Sequence, residues 1–202
     1  MIRHAAVTLA VLALAVGPGL AAAMDDTEET PVKVVKHTIS RVLKTLQDES
    51  LSEDETREAV AAIASERVNY AGMSQRILAQ NWTRLNEDEQ ARFIAAFREV
   101  LVETYWQRMK NYSNEKVIYF TSSLNTPDFA TVDTVIESKQ VEIPVTYRLK
   151  KTGERWMAYD ILIEGRSMVQ TYRIEAAQLF KRGGAKALMQ AVESAEFAPP
   201  AR

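Results

Sequence analysis

The chain has 202 residues, 47% of them hydrophobic, with 25 Lys and Arg against 27 Asp and Glu and no cysteine. That balance argues against a nucleic-acid partner and a polybasic membrane anchor, and the missing thiol removes disulfides, thiolate metal ligands and cysteine nucleophiles together. The two histidines, His4 and His37, are too few for a Ser-His-Asp site or a histidine zinc cluster to be expected.

Residues 1–23 read as a signal peptide. Arg3 and His4 make a short basic start, Ala5 to Val16 is an apolar run too short to span a membrane, and Ala21-Ala22-Ala23 offers small residues for cleavage. The expected product is exported to the periplasm of a Gram-negative bacterium. His37 then stays as its one histidine, read as a surface residue of the first helix. Residues 24–31 are a loose polar lead-in, 32–195 a single domain and 196–202, with Pro199-Pro200, a disordered tail.

Apolar residues at Val35, Ile39, Val42, Leu43 and Leu46 predict a first helix over 32–47. An Ala- and Glu-rich helix over 55–67 and a short one over 70–82 follow. Asn86 and Glu89 form a capping signature before the longest periodic segment, where Phe93, Phe97, Leu101, Tyr105 and Met109 recur every four residues to about Tyr112. From Glu115 the period changes to two. Four strands are predicted over 116–122, 129–137, 140–150 and 156–163, with a turn at Asn125 to Asp128. Pro144 cannot donate to a ladder and marks a bulge or an edge.

The organising stretch is Gly153 to Arg173. An apolar strand from Trp156 to Ile163 is interrupted in polarity only by Asp160, Gly165 supplies a turn, and Ser167 with Gln170 opens a helix. Met168, Val169, Tyr172, Ala176, Leu179 and Phe180 give that helix one apolar face, Gly183-Gly184 stops it, and a last helix covers 185–195. The predicted fold class is α+β, a four-stranded antiparallel curved sheet with about six helices.

The chain resembles the periplasmic phospholipid-shuttle proteins typified by MlaC, also called toluene-tolerance proteins. The resemblance covers roughly 70–195. It rests on Met73, Ile77, Leu78 and Trp82, on Gln90, Phe93, Phe97, Leu101 and Tyr105, on Val145, Tyr147 and Leu149, and most specifically on Trp156, Tyr159, Asp160, Ile163, Gly165, Ser167, Val169, Tyr172 and Arg173. Two positions depart: Ala79 stands where the family often has Gly, and Arg166 where an apolar residue is usual. The resemblance implies a carrier with an apolar pocket, no catalysis and no cofactor. Its implied partners are phospholipid, an outer-membrane lipoprotein complex and an inner-membrane ABC transporter complex. Burying two acyl chains of roughly 28 methylenes gains about 20 kcal/mol, which calls for an enclosing cavity.

On this reading Ile143, Val145, Tyr147, Met157, Tyr159 and Ile161 form one pocket wall, Phe97, Leu101 and Tyr105 the opposite one, and Met168, Val169 and Tyr172 the mouth. Each is equally suited to ordinary core. Asp160 is either a general base beside Tyr159, in a small cone-shaped α+β enzyme acting on an apolar substrate, or a hydrogen-bond acceptor holding the strand-to-helix joint. Arg166, Arg173, Lys181 and Arg182 are candidates for a phosphate or a solvated helix face. Trp82, Trp106 and Trp156 are each candidates for a membrane-interface anchor; core packing suits Trp156, and Trp106, off the main stripe of its helix, suits core or, if exposed, docking to a partner. A peptide-binding periplasmic chaperone is the remaining alternative.

Overall fold

Local signals start each helix. Thr30 accepts from the Lys33 amide and Pro31 stands at the first position of α1 (Pro31–Leu46). Ser52 and Glu55 satisfy each other's backbone in a capping box at α2 (Glu53–Ser65), whose first turn carries Glu53, Asp54 and Glu55 at the positive end of the helix dipole. Asn69 caps α3 (Tyr70–Leu78), which runs into a 3-10 turn at Ala79–Arg84. Asn86 and Glu89 close a second capping box at α4 (Glu87–Met109), 23 residues and about 35 Å long. The computed structural model describes residues 29–110, 116–120, 122–137 and 141–197. The signal-peptide reading of 1–23 and the tail from 198 lie outside them.

The strands are β1 (Lys116–Tyr119), β2 (Ser123–Thr126), β3 (Phe129–Glu137), β4 (Glu142–Thr152), β5 (Arg155–Ile163) and β6 (Arg166–Ser167), followed by α5 (Met168–Glu193). All pair antiparallel in the order β1-β3-β4-β5-β6, with β2 also on β3. The four strands and six helices expected from the sequence become, among the described residues, six strands and five α-helices. The segment read as a turn near Asn125 is itself paired to β3, and the Glu164-Gly165 turn, both residues at positive φ, folds Arg166 and Ser167 back onto β5. Gly183 and Gly184 leave helical geometry, Gly184 at φ +63°, so the expected stop is a break inside α5. Pro144 occupies an interior strand. It pairs with Val135, and its carbonyl accepts from Glu164, just past the end of β5, so its missing N–H falls where the β4–β5 ladder has run out.

Two apolar clusters result. One joins α3, α4 and α5 through Phe93, Phe97 and Tyr172, with the Phe97 and Tyr172 rings edge to face at 5.1 Å. Phe197 is fully buried in it and its amide bonds Ala191, so the packed domain extends past the boundary at 195. The other sets Val34 and Val35 of α1 on Val132, Leu149, Trp156 and Ala158 of the sheet.

Ala79 ends α3 at φ +49° and ψ −122°, a conformation that costs an L-residue. Ala79→Gly relieves it. The expected gain is about 1 kcal/mol, read as a melting temperature about 2–4 °C higher; an unchanged melt would show that the surroundings impose no strain there.

Candidate functional site

The sheet's inward face is set by register. Ala130, Val132, Thr134 and Ile136 of β3 lie opposite Leu149, Tyr147, Val145 and Ile143 of β4. On β5 the alternation is broken, because Arg148 pairs with Asp160 but Leu149 with Ala158, leaving Tyr159 as an extra residue. Beyond this bulge Ile161 and Ile163 share the face of Trp156 and Ala158. Met157 and Tyr159 therefore do not share a face with Ile161, contrary to a strict period of two. Tyr159 instead stacks edge-on against Phe129 at 5.8 Å under the Arg76 guanidinium at 4.5 Å.

Between this face, the α1–α2 hairpin and the C-terminal half of α4 lies a cavity of about 530 Å³. Among its described lining residues only Thr38, Arg57 and Arg67 are neither apolar nor aromatic. Leu101, Tyr105, Ile143, Val145, Tyr147, Ile161 and Met168, all singled out from the sequence, line it. Phe97, Met157, Tyr159, Val169 and Tyr172 do not. Phe97, Val169 and Tyr172 belong to the α3–α4–α5 core. The sequence reading missed the hairpin's share: Ile39, Val42, Leu43 and Leu46 of α1 with Val60 and Ala64 of α2. The signal was present, since an apolar stripe that runs the length of α1 exceeds what Val34 and Val35 need to meet the sheet.

Burial pushes the Tyr147 phenol well above its usual range, with Tyr119 adding to the effect and a hydrogen bond to Thr134 opposing it. Burial likewise raises Tyr70, opposed by hydrogen bonding with Ser65 and by Arg98. Neither ring contributes negative charge to the cavity at neutral pH.

The hairpin is tied down by polar contacts. Glu53 at the start of α2 accepts from Trp106 Nε1 at 3.2 Å and from Lys110 Nζ at 3.2 Å, and these two donors hold its carboxyl below the usual range. Trp106 is 4% exposed and lines the cavity, so it is not an exposed docking residue. Trp156 is buried in the sheet cluster, and Trp82 packs against the other core. At the far end Arg67 pairs with Glu29, and its carbonyl accepts from Ala158.

Asp160 is 4% exposed and lies away from the cavity. Its Oδ2 accepts from Ser167 Oγ at 2.7 Å and Arg148 Nη1 at 3.3 Å, and its Oδ1 from the Val169 amide at 3.2 Å. Ser167 in turn accepts from the Gln170 amide. The carboxylate thus fastens β4, β5 and the start of α5 together. Arg173 Nε donates to the Arg76 carbonyl at 2.9 Å, satisfying the end of α3. Arg182 pairs with Glu175, and Arg166 and Lys181 are exposed. None of these four cations lines the cavity. His37 is exposed on α1.

An α+β sheet closed over an apolar cavity by two helical layers defines the class of protein. The family model described as MlaC protein matches residues 36–194, and the chain belongs to that family. It is 23% identical over 162 residues to the toluene tolerance protein Ttg2D of Pseudomonas putida, covering 77% of this chain and 75% of that one. A solved structure of a phospholipid-binding protein from Ralstonia solanacearum, in complex with a phospholipid, shares the fold with a TM-score of 0.74. Its sequence identity is 22%, over 80% of this chain and 94% of that one.

Proposed function

We propose that this protein is a periplasmic phospholipid carrier that moves lipid between an outer-membrane lipoprotein complex and an inner-membrane ABC transporter complex, maintaining outer-membrane lipid asymmetry. The observation that carries the reading is the cavity: about 530 Å³, walled by apolar and aromatic side chains on sheet, hairpin and α4, with Thr38, Arg57 and Arg67 as the exceptions. A space of that size and polarity gains most from hydrocarbon, at about 0.8 kcal/mol per methylene withdrawn from water. Family membership and the phospholipid seen in the Ralstonia solanacearum relative support the same assignment. Among the described residues no helix is long and apolar enough to cross a membrane, which fits a carrier that leaves one membrane for the other.

The proposed carrier performs no chemistry. Supporting this, Asp160 and Tyr159, the pair that an enzyme of this architecture would use, do not line the cavity.

Native mass spectrometry with organic extraction, on protein purified without detergent from a bacterial periplasm, tests the proposal. The expected result is a discrete added mass that extracts as phospholipid. Protein that is empty, and stays empty after incubation with phospholipid vesicles, would overturn it.

A further inference from the structure

A second cleft, of about 350 Å³, lies along the seam of α2 and α4. Arg57, Glu58, Ala61, Arg98, Glu99 and Val102 line it, and three of these, Arg57, Ala61 and Val102, also line the apolar cavity. The two spaces share a wall, yet their chemistry is opposite. Two guanidinium groups and two carboxylates face the cleft, so its formal charge is zero while its field is divided.

The cations are not fully spent on those acids. Arg57 approaches Glu103 at 3.9 Å, beyond hydrogen-bond distance. Arg98 is held in place, Nε donating to Ser65 Oγ at 3.1 Å and Nη1 to Glu99 Oε1 at 3.1 Å. One arginine is thus held by two hydrogen bonds and the other only by a longer ion pair. A planar guanidinium fork matches a phosphate's oxygens, and a carboxylate matches an ammonium. A ligand carrying both groups a few atoms apart satisfies both halves of the cleft. A purely anionic ligand would leave Glu58 and Glu99 opposing it.

We propose that this cleft receives the zwitterionic phosphodiester headgroup of the phospholipid whose acyl chains fill the adjoining cavity, with Arg57 and Arg98 on the phosphate and Glu58 on the ammonium. The inference rests on the phospholipid reading above and adds the headgroup class. It makes the α2–α4 seam the place where lipid type is read, and the apolar wall indifferent to it.

The test loads lipid-free wild type, Arg57→Gln and Glu58→Gln from vesicles of equimolar phosphatidylethanolamine and phosphatidylglycerol, and measures the extracted lipids by mass spectrometry. Wild type is expected to enrich phosphatidylethanolamine. Glu58→Gln should lower the ethanolamine-to-glycerol ratio about fivefold, and Arg57→Gln should lower total lipid several-fold, as expected for loss of a charge-assisted contact at a part-exposed site. Should Arg57→Gln fail to fold, Arg57→Lys keeps the charge, loses the fork and is expected to show the same direction. Glycerophosphoethanolamine, the headgroup without tails, should not displace bound lipid at equal concentration; displacement would overturn the tethered site in favour of a free phosphodiester. Wild type and variants loading phospholipid in the same amount and at the vesicle ratio would overturn the cleft assignment alone. A wild type that loads no phospholipid would instead overturn the carrier reading beneath it.

Discussion

Val145→Trp should yield a folded protein that carries less than about half the phospholipid of wild type. Val145 is 6% exposed and lies on the inward face between Ile143 and Tyr147, opposite Thr134 on one side and Ile163 on the other. It lines the cavity, so the added indole projects into space that hydrocarbon would fill rather than into packed side chains. Overpacking a filled core costs about 1–3 kcal/mol or more, whereas growth into a void avoids most of that cost. Val132→Trp is the control. Val132 shares the same sheet face but is fully buried against the α1 cluster and does not line the cavity. There the indole has no room, and the melting temperature should fall by about 5 °C or more. Lipid phosphorus per protein and thermal melts read both variants. A folded Val145→Trp with undiminished lipid would show that this wall does not meet the acyl chains.

This contrast marks how far the sequence reaches. The starts of α4 and α5 were legible because capping is a local transaction: Asn86 with Glu89, and Ser167 with Gln170, need no knowledge of the fold. By contrast, α2 begins at Glu53, two residues before the predicted start, on a Ser52–Glu55 box that the sequence reading passed over. The β4 face was equally legible, since Ile143, Val145 and Tyr147 keep an unbroken period of two. Beyond such local rules the reading failed in specific ways. The bulge at Tyr159 exists only as a relation between β4 and β5, so assigning Met157, Tyr159 and Ile161 to one face was the natural error. Trp106 stands off its helix's main stripe and looked available for docking. It is buried because α2 packs there and Glu53 meets its indole N–H. Phe197 sits beyond the last helical period, and only the turn at the end of α5 returns it to Phe93 and Tyr172.

The cavity itself belongs to this second kind of information. A carrier needs apolar residues that nothing in the protein fully covers, and periodicity cannot distinguish those from core. Phe97 and Leu101 are successive positions of one stripe on α4, yet Phe97 packs on Tyr172 while Leu101 lines the cavity. What separates them is the neighbour each meets, α5 for Phe97 and the space beside the α1–α2 hairpin for Leu101. The hairpin is held by the sheet cluster at one end and by Glu53 with Trp106 and Lys110 at the other.

Asp160→Asn should destabilise the fold by about 2–3 kcal/mol, lowering the melting temperature by roughly 5–10 °C, while the folded fraction still carries lipid. The Asp160 side chain is 5% exposed, and it accepts from three donors on three segments: Arg148 on β4, Ser167 at the end of β6 and the Val169 amide in the first turn of α5. An amide replaces one acceptor oxygen with a donor. Whichever way it turns, that NH2 faces a donor, either the Val169 amide or the Arg148 guanidinium beside Ser167. A buried donor left unsatisfied costs about 1–3 kcal/mol, more where a charge is involved. The lipid readout separates this role from a functional one, because Asp160 lies off the cavity and its loss changes no lining residue. An Asn variant as stable as wild type would sink the fastening role. One that kept its melting temperature but lost its lipid would instead place Asp160 in the binding machinery, despite its distance from the cavity wall.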